Sequence, residues 1–138
     1  MAVCAFDVKA NDTKSMQFDD LSEQGWYYPY VYAAYTNNLC SGVSEMQFGL
    51  GDRIMRQDAA VIVYNVLRLK KVYMTMSTMV FTDENDISDY AKEPLSYVVG
   101  SSIIAGFEDK SFKPKEAITR AQAAVIIEKT VQTLAKEN

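Results

Sequence analysis

An internal repeat constrains this chain more than any other feature of its sequence. Two segments carry the same residue types in the same order, and from the first matched glycine onward the offset between them is 64 residues. Such regular recurrence predicts that one supersecondary unit is built twice. The matched pairs are Phe18 and Phe81, Asp20 and Asp83, Trp26 and Tyr90, Gly42 and Gly106, Phe48 and Phe112, Ile54 and Ile118, and Arg56 and Arg120.

Each copy is predicted to be a helix–loop–helix unit. After a Phe-x-Asp entry comes an amphipathic segment whose apolar residues recur at three- and four-residue steps, as on one face of a helix. Pro29 and Pro94 should lie near the start of this first helix, because a proline deep inside a helix breaks it. Gly42 and Gly106 should end the helix in a left-handed conformation. A turn-rich loop then leads to the second helix.

The second helix of the later copy begins in the segment ITRAQ. Thr119 and Gln122 match the capping box, in which each side chain accepts a hydrogen bond from the other residue's amide. Arg120 then occupies the first helical position, where its charge opposes the helix dipole. A guanidinium beside free helix amides favours an anion-binding site, and Arg56 repeats this arrangement in the earlier copy. The alternative is that Arg120 pairs with a carboxylate such as Asp83.

These units predict an all-α fold of four segments. Residues 1–17 form the helical remnant of a preceding repeat and a linker, residues 18–70 a repeat, residues 71–80 a connector, and residues 81–138 a second repeat. The remnant is inferred from the short apolar segment that begins at Ala2, because it parallels the end of the second helix in the repeat before the connector. The alternative for this segment is a disordered leader.

Composition and charge exclude several functional classes. The chain has 138 residues, no histidine and a net charge of −4. An acidic chain is poorly suited to nucleic acid phosphates, and histidine is the commonest catalytic base and transition-metal ligand. We therefore predict no enzyme activity, no metal site, no cofactor and no nucleic acid partner. Cys40 is interpreted as a small core residue, the alternative being a Cys4–Cys40 disulfide.

The sequence also bears on location. No apolar run is long enough to cross a bilayer, so no membrane insertion is expected. The N-terminal segment lacks the basic region and the long apolar stretch of a signal peptide. If the protein is exported, its signal is absent from this sequence.

The repeated motifs resemble those of the S-layer homology domain. The hallmark of that family is a TRAE-type motif at the start of the second helix, which ITRAQ matches behind Phe-x-Asp and the segment IIAGFEDKSFKP. The earlier copy, with WYYPYV and FGLGDRIMRQDAAV, resembles the middle one of the three repeats that usually occur together. The resemblance covers residues 18–138 and implies all-α repeats arranged around a pseudo-threefold axis.

The resemblance also implies a function. Domains of this family anchor exported proteins non-covalently to the secondary cell wall polysaccharide of Gram-positive-type envelopes, often through a pyruvylated sugar. Ligand grooves lie between neighbouring repeats, and the motif arginine contacts the ketal carboxylate. An extracellular location in the cell wall or S-layer follows. Carried over by position, the ligand-binding residues are Arg120, Arg56, Ser41, Trp26, Asp20 and Asp83, with Thr119 and Gln122 as helix-cap support and Gly42 and Gly106 as loop glycines.

Some of these assignments have a structural alternative. The resemblance places the small residue before the loop glycine, Ser41 or Ala105, at the groove. Asp20, Asp83 and Trp26 would complete its walls, with a sugar stacked on the indole ring. The alternative for these three residues is helix entry and core packing.

Three departures from the family pattern modify what we expect. Met55 replaces the motif threonine before Arg56, so Arg120 is expected to be the better-formed anion contact. EDKS replaces the glycine-bearing loop before Phe112, and the first repeat is nearly missing. An exposed apolar face left by its loss favours a homo-oligomer or a domain swap that replaces the missing repeat. The alternative function is therefore a protein–protein or self-assembly module built from degenerate repeats.

Overall fold

The computed structural model describes residues 2–11, 14–78 and 80–136. Parts of the predicted linker, of the connector and of the last repeat lie outside the described residues. Within them the structure has no strand, only an isolated antiparallel bridge between Met55 and Ala117, which confirms the predicted all-α class. No helix in this part of the chain has both the length and the apolar character needed to span a membrane. The helices are α1 (Ala2–Ala5), α2 (Tyr28–Thr36), α3 (Arg56–Leu69), α4 (Asp89–Gly100) and α5 (Arg120–Lys136), with a 3-10 turn at Glu84–Asp86.

The chain forms two compact units, Met1–Asp52 and Arg53–Asn138. The boundary falls inside the first predicted repeat, because α3 packs against α4 and α5, while α1 packs against α2. The limits of the repeats at 18–70 and 81–138 follow the sequence and stay a prediction, as does their arrangement about a pseudo-threefold axis.

The larger unit holds a hydrophobic core built around α3 and α4. Apolar residues at three- and four-residue steps give each helix one buried face, which stabilises the fold by about 1.5–3 kcal/mol for each large side chain. Phe112 is fully buried in this core, so the loop after α4 is fixed as well. The core residues are Ala60, Val63, Leu67, Val72, Ile87, Ala91, Leu95, Val98, Ile103, Ile104, Phe112 and Ile126.

The two prolines occupy different places in their helices. Pro29 lies in the first turn of α2, as predicted, where a missing amide costs no intrahelical hydrogen bond. Pro94 lies in the second turn of α4, so the prediction that it is near the helix start is wrong. Its ring is buried. The apolar burial offsets part of the free energy that the helix loses because proline cannot donate an intrahelical hydrogen bond.

The predicted left-handed role of Gly42 and Gly106 is also wrong. Neither glycine has a positive φ. The left-handed residues that follow α2 and α4 are Asn38, with φ of 56°, and Ser102, with φ of 58°. These two residues also stand 64 positions apart, so the helix exits repeat, but four residues earlier than the glycines.

The two glycines are required by close packing instead. A Cβ atom at Gly106 would lie 2.6 Å from Cε1 of Phe81, and one at Gly42 would lie 2.5 Å from Cε1 of Phe18. Atoms cannot approach so closely without displacement. The phenylalanine of each Phe-x-Asp entry therefore packs on the glycine of its own repeat.

The smaller unit has its own aromatic packing. The ring of Phe18 lies edge-on to those of Tyr35 and Phe48, with centroid distances of 5.3 and 5.7 Å.

Cys4 and Cys40 are both free, so the disulfide alternative is wrong. Cys40 is partly buried, and desolvation raises the pKa of its thiol to about 11.

Candidate functional site

The start of α3 is bonded to the loop that follows α4. Met55, the N-cap residue, makes no capping hydrogen bond with its side chain. Instead, the amide of Arg56 donates to the carbonyl of Glu116 (2.8 Å), and the amide of Gln57 donates to the carbonyl of Pro114 (3.1 Å). These two amides are not free, so the prediction that they bind an anion is wrong. The guanidinium remains as the candidate.

The guanidinium of Arg56 is enclosed. Only 8% of the residue is exposed, and Nη2 donates to the carbonyl of Ala105 at 2.6 Å. Its Cζ atom lies 4.8 Å from the ring centre of Phe107 and 5.0 Å from that of Phe112. Nε is buried and donates to no acceptor among the described residues. A buried donor without a partner is costly, and a ligand that supplies an acceptor removes this cost.

A second cation, the ammonium group of Lys113, lies beside the Phe107 ring. Nζ of Lys113 is 4.9 Å from the centre of Phe107 and 3.6 Å from Oε1 of Glu116. Burial lowers the pKa of Arg56, while the negative charge of Glu116 opposes this effect. Arginine stays protonated in proteins, so two cations lie within 5 Å of the Phe107 ring centre, and one carboxylate lies beside the lysine. The excess of positive charge favours the binding of an anionic group.

Asp83 fixes the loop that carries these side chains. Its Oδ1 accepts the amide hydrogen of Phe112 (2.8 Å), and its Oδ2 accepts that of Lys113 (2.7 Å). Charge-assisted bonds of this kind hold a loop more firmly than neutral ones. The carboxylate is therefore engaged by backbone, and its predicted role as a groove wall stays a prediction.

Asp20 has the equivalent position in the smaller unit. Its carboxylate accepts the amide hydrogens of Phe48 (2.8 Å), Gly49 (2.8 Å) and Leu50 (2.9 Å). These hydrogen bonds, that from Leu50 contributing most, hold the pKa of Asp20 below its usual value. Both aspartates of the Phe-x-Asp entries thus bind the loop of their own repeat.

Sequence reasoning missed a polar network between α3 and α4. Gln57 is 1% exposed, and its Nε2 donates to Oγ of Ser88 (3.1 Å) and to the hydroxyl of Tyr90 (2.9 Å). The tyrosine hydroxyl in turn donates to Asp58 (2.6 Å). Nζ of Lys115 donates to the serine hydroxyl (2.7 Å). The available signal was a glutamine within an apolar helix; buried, it requires such partners. The network orients the first turn of α3.

Arg120 begins α5 at the protein surface. Both hydrogen bonds of the capping box are present: the amide of Thr119 donates to Oε1 of Gln122 (2.9 Å), and the amide of Gln122 donates to Oγ1 of Thr119 (3.1 Å). No carboxylate in the described ranges forms an ion pair with Arg120, Asp83 included. The capped helix start is thus at Arg120, whereas the enclosed guanidinium is Arg56. Anion binding by Arg120 stays a prediction.

The remaining candidates belong to the smaller unit. Trp26 is 83% exposed, and its ring lies edge-on to Tyr27 at a centroid distance of 6.0 Å. It precedes α2 and is not a core residue, so the core-packing alternative is wrong for Trp26. Ser41 is exposed. Of the predicted groove residues, the structure brings Arg56 and Ala105 together, and ligand contact by Trp26 and Ser41 stays a prediction.

Several curated proteins are similar to this chain over most of its length. A surface-layer 125 kDa protein of Lysinibacillus sphaericus is 26% identical over 122 residues, which cover 86% of this chain and 10% of that protein. A cellulosome-anchoring protein of Acetivibrio thermocellus is 26% identical over 125 residues, covering 89% and 28%. An amylopullulanase of Thermoanaerobacterium thermosulfurigenes is 28% identical over 119 residues, covering 85% and 6%. The chain thus spans a small part of each relative.

One stretch of the chain matches a known protein family, and the same stretch supplies most of the residues around Arg56. Residues 80–124 match the sequence model of the S-layer homology domain. They include Ala105, Phe107 and Phe112, which surround the guanidinium, and the capping box of α5. This segment of the chain therefore belongs to the S-layer homology domain family.

Proposed function

We propose that this chain anchors a protein at the bacterial cell surface by binding an anionic, pyruvylated secondary cell wall polysaccharide. The observation that carries the proposal is the buried guanidinium of Arg56, whose Nε has no acceptor among the described residues. A sugar-linked carboxylate would supply that acceptor. The names of two relatives, a surface-layer protein and a cellulosome-anchoring protein, support a role at the cell surface.

The position of the site between repeats supports the same function. By sequence, Arg56 belongs to the earlier repeat, whereas Ala105 and Phe107 belong to the later one. Their contacts at 2.6 and 4.8 Å therefore join the two repeats. The family resemblance implies ligand grooves at such junctions. By repeat position, Arg120 would have the same role toward a further repeat.

We propose an anchoring role and no catalytic one for this chain. Among its relatives are proteins named as an amylopullulanase, an exoglucanase and an endoglucanase, but it spans only 6%, 10% and 13% of their lengths. A segment shared by enzymes and by a surface-layer protein fits a common location better than a common reaction. Extracellular residence in the cell wall or S-layer follows from this proposal.

The anchoring proposal is tested by sedimentation with purified sacculi that retain their polysaccharide. We expect the wild-type chain to sediment with them, and Arg56→Met to bind about tenfold or more weakly, because a charge-assisted contact is lost. Methionine keeps much of the side-chain volume, and circular dichroism verifies that the variant is folded. Arg68→Ala, on the exposed end of α3, is the matched control and should bind like the wild type.

Two outcomes would contradict the proposal. Equal sedimentation of a folded Arg56→Met variant would show that the guanidinium does not contact the ligand. Undiminished binding to sacculi stripped of polysaccharide by hydrofluoric acid would show that the ligand is another wall component. Arg120→Ala in the same assay tests the second predicted arginine.

The alternative, a protein–protein or self-assembly module, is favoured by one observation. Large apolar side chains of the smaller unit are exposed, among them Trp26 (83%), Val43 (66%) and Met46 (54%). Self-association or a domain swap would bury such surface. Light scattering that shows a monomer at high protein concentration would contradict this alternative.

A further inference from the structure

Lys113 has a backbone conformation that is unfavourable for a lysine. Its φ is 58°, in the left-handed region, and its amide donates to Asp83. The equivalent residue of the earlier repeat is Gly49, with φ of 88° and an amide that donates to Asp20. The two loops therefore require the same conformation at this position. Glycine adopts it freely, whereas a residue with a Cβ atom is strained.

The backbone does not explain why a lysine stands here. Gly49 shows that glycine meets the requirements of the loop, including the hydrogen bond to the aspartate. The ion pair of Lys113 with Glu116 does not explain it either: the two atoms are 3.6 Å apart and the side chains are 37% and 65% exposed. Surface ion pairs of this kind contribute little stability. Because glycine serves at the equivalent position, a strained lysine here indicates a role for its side chain.

The side chain of Lys113 lies beside the Arg56 site. Its ammonium group and the guanidinium of Arg56 are 4.9 and 4.8 Å from the centre of the Phe107 ring. In the earlier repeat, where this position is glycine, the residue equivalent to Phe107 is Val43. The lysine and the ring that it contacts thus occur together in one repeat and are both absent from the other.

We propose that Lys113 is the second cation of the Arg56 site and binds the same carboxylate of an acidic sugar. Arg56 would donate from the buried side through Nε, and Lys113 from the more exposed side through its ammonium group. The strained backbone is retained because glycine at this position would remove that charge. The identity of the sugar rests on the proposed anchoring function, but carboxylate binding can be measured without it.

The probe is sodium pyruvate, titrated into the whole chain at constant ionic strength and followed by amide NMR shifts. We expect saturable shifts in residues 105–116. Lys113→Gly should raise the Kd about threefold or more, because one exposed charge is lost. The same variant should raise the Tm by roughly 3 °C, because the strain is removed. Glu116→Gln should lower the Kd, because it removes the carboxylate that competes for the lysine.

Lys110→Gly is the matched control. Lys110 lies in the same loop and is also left-handed, with φ of 63°, but its ammonium group contacts no aromatic ring in the described part of the chain. This variant should gain Tm in the same way and leave the Kd unchanged. A loss of binding in both variants would show a general effect of loop charge and overturn the specific role of Lys113.

Other outcomes separate this inference from the anchoring function. Unchanged pyruvate affinity in Lys113→Gly, or no saturable shifts in the wild type, would overturn the role of Lys113. Saturable pyruvate binding that Lys113→Gly weakens, together with no sedimentation on sacculi, would support that role and contradict the anchoring function.

Discussion

Asp20 and Asp83 have the same role in their repeats, since each carboxylate accepts amide hydrogen bonds from the loop before the second helix. Asp20 accepts three, whereas Asp83 accepts two. The difference arises because Pro114 replaces Leu50, and proline has no amide hydrogen. Repeat position therefore predicts backbone roles well, down to the effect of a single substitution.

Gly106 provides a prediction about close packing. In Gly106→Ala, the new Cβ atom would lie 2.6 Å from Cε1 of Phe81, whose ring packs on Phe112 at a centroid distance of 5.3 Å. We expect the free energy of unfolding to fall by about 2 kcal/mol, as measured by urea denaturation. The control is the same substitution in a Phe81→Leu background, where the clash should be smaller. Equal losses in both backgrounds would contradict this contact as the cause.

The residues that sequence reasoning misassigned share a physical reason. A glycine meets two different requirements, a left-handed backbone or a close approach, and the pattern around Gly106 does not distinguish them. Arg56 looked like the weaker anion contact because Met55 lacks a capping hydroxyl. Its enclosure depends on Ala105, 49 residues away in sequence, and on rings of the same distant loop. Local spacing predicts local geometry but not such long-range contacts.

At the scale of elements, α3 and α5 satisfy their first amides in different ways. Periodicity and repeat position correctly predicted that they begin at Arg56 and Arg120. The first amides of a helix lack intrahelical acceptors. In α5 the capping box provides one such acceptor, the hydroxyl of Thr119, which the motif predicted. In α3 carbonyls of the 114–116 loop provide them, which no local motif could indicate.

This difference predicts unequal effects of substitutions at the two N-caps. Thr119→Ala should lower the free energy of unfolding by about 1 kcal/mol, because a capping hydrogen bond is lost. Met55→Ala is the matched control at the equivalent position and should change it by less than about 0.5 kcal/mol, because that side chain makes no capping bond. Guanidinium denaturation measures both. A loss in Met55→Ala as large as that in Thr119→Ala would contradict the two capping modes.

At the scale of the whole chain, sequence repeats and compact units divide the protein differently. By sequence α3 is the second helix of the earlier repeat, but it packs against α4 and α5 of the later one. Stacked repeats commonly bury their apolar faces on neighbours and not on themselves. The same packing places Arg56 among residues of the later repeat. Periodicity could predict the apolar face of α3, but not which helix would cover it.

The larger unit should therefore fold without the smaller one. All twelve residues of the described core cluster lie within 53–138, together with Arg56 and its partners. We expect a 53–138 fragment to unfold cooperatively on heating and to bind pyruvate with a Kd within about twofold of that of the whole chain. A 1–52 fragment, whose buried apolar residues in the described part include Phe6, Val8, Ala33 and Leu39, should not fold alone, because so short a chain buries too little surface. Circular dichroism and amide NMR distinguish these cases. A disordered 53–138 fragment would show that the core and the Arg56 site depend on the first 52 residues.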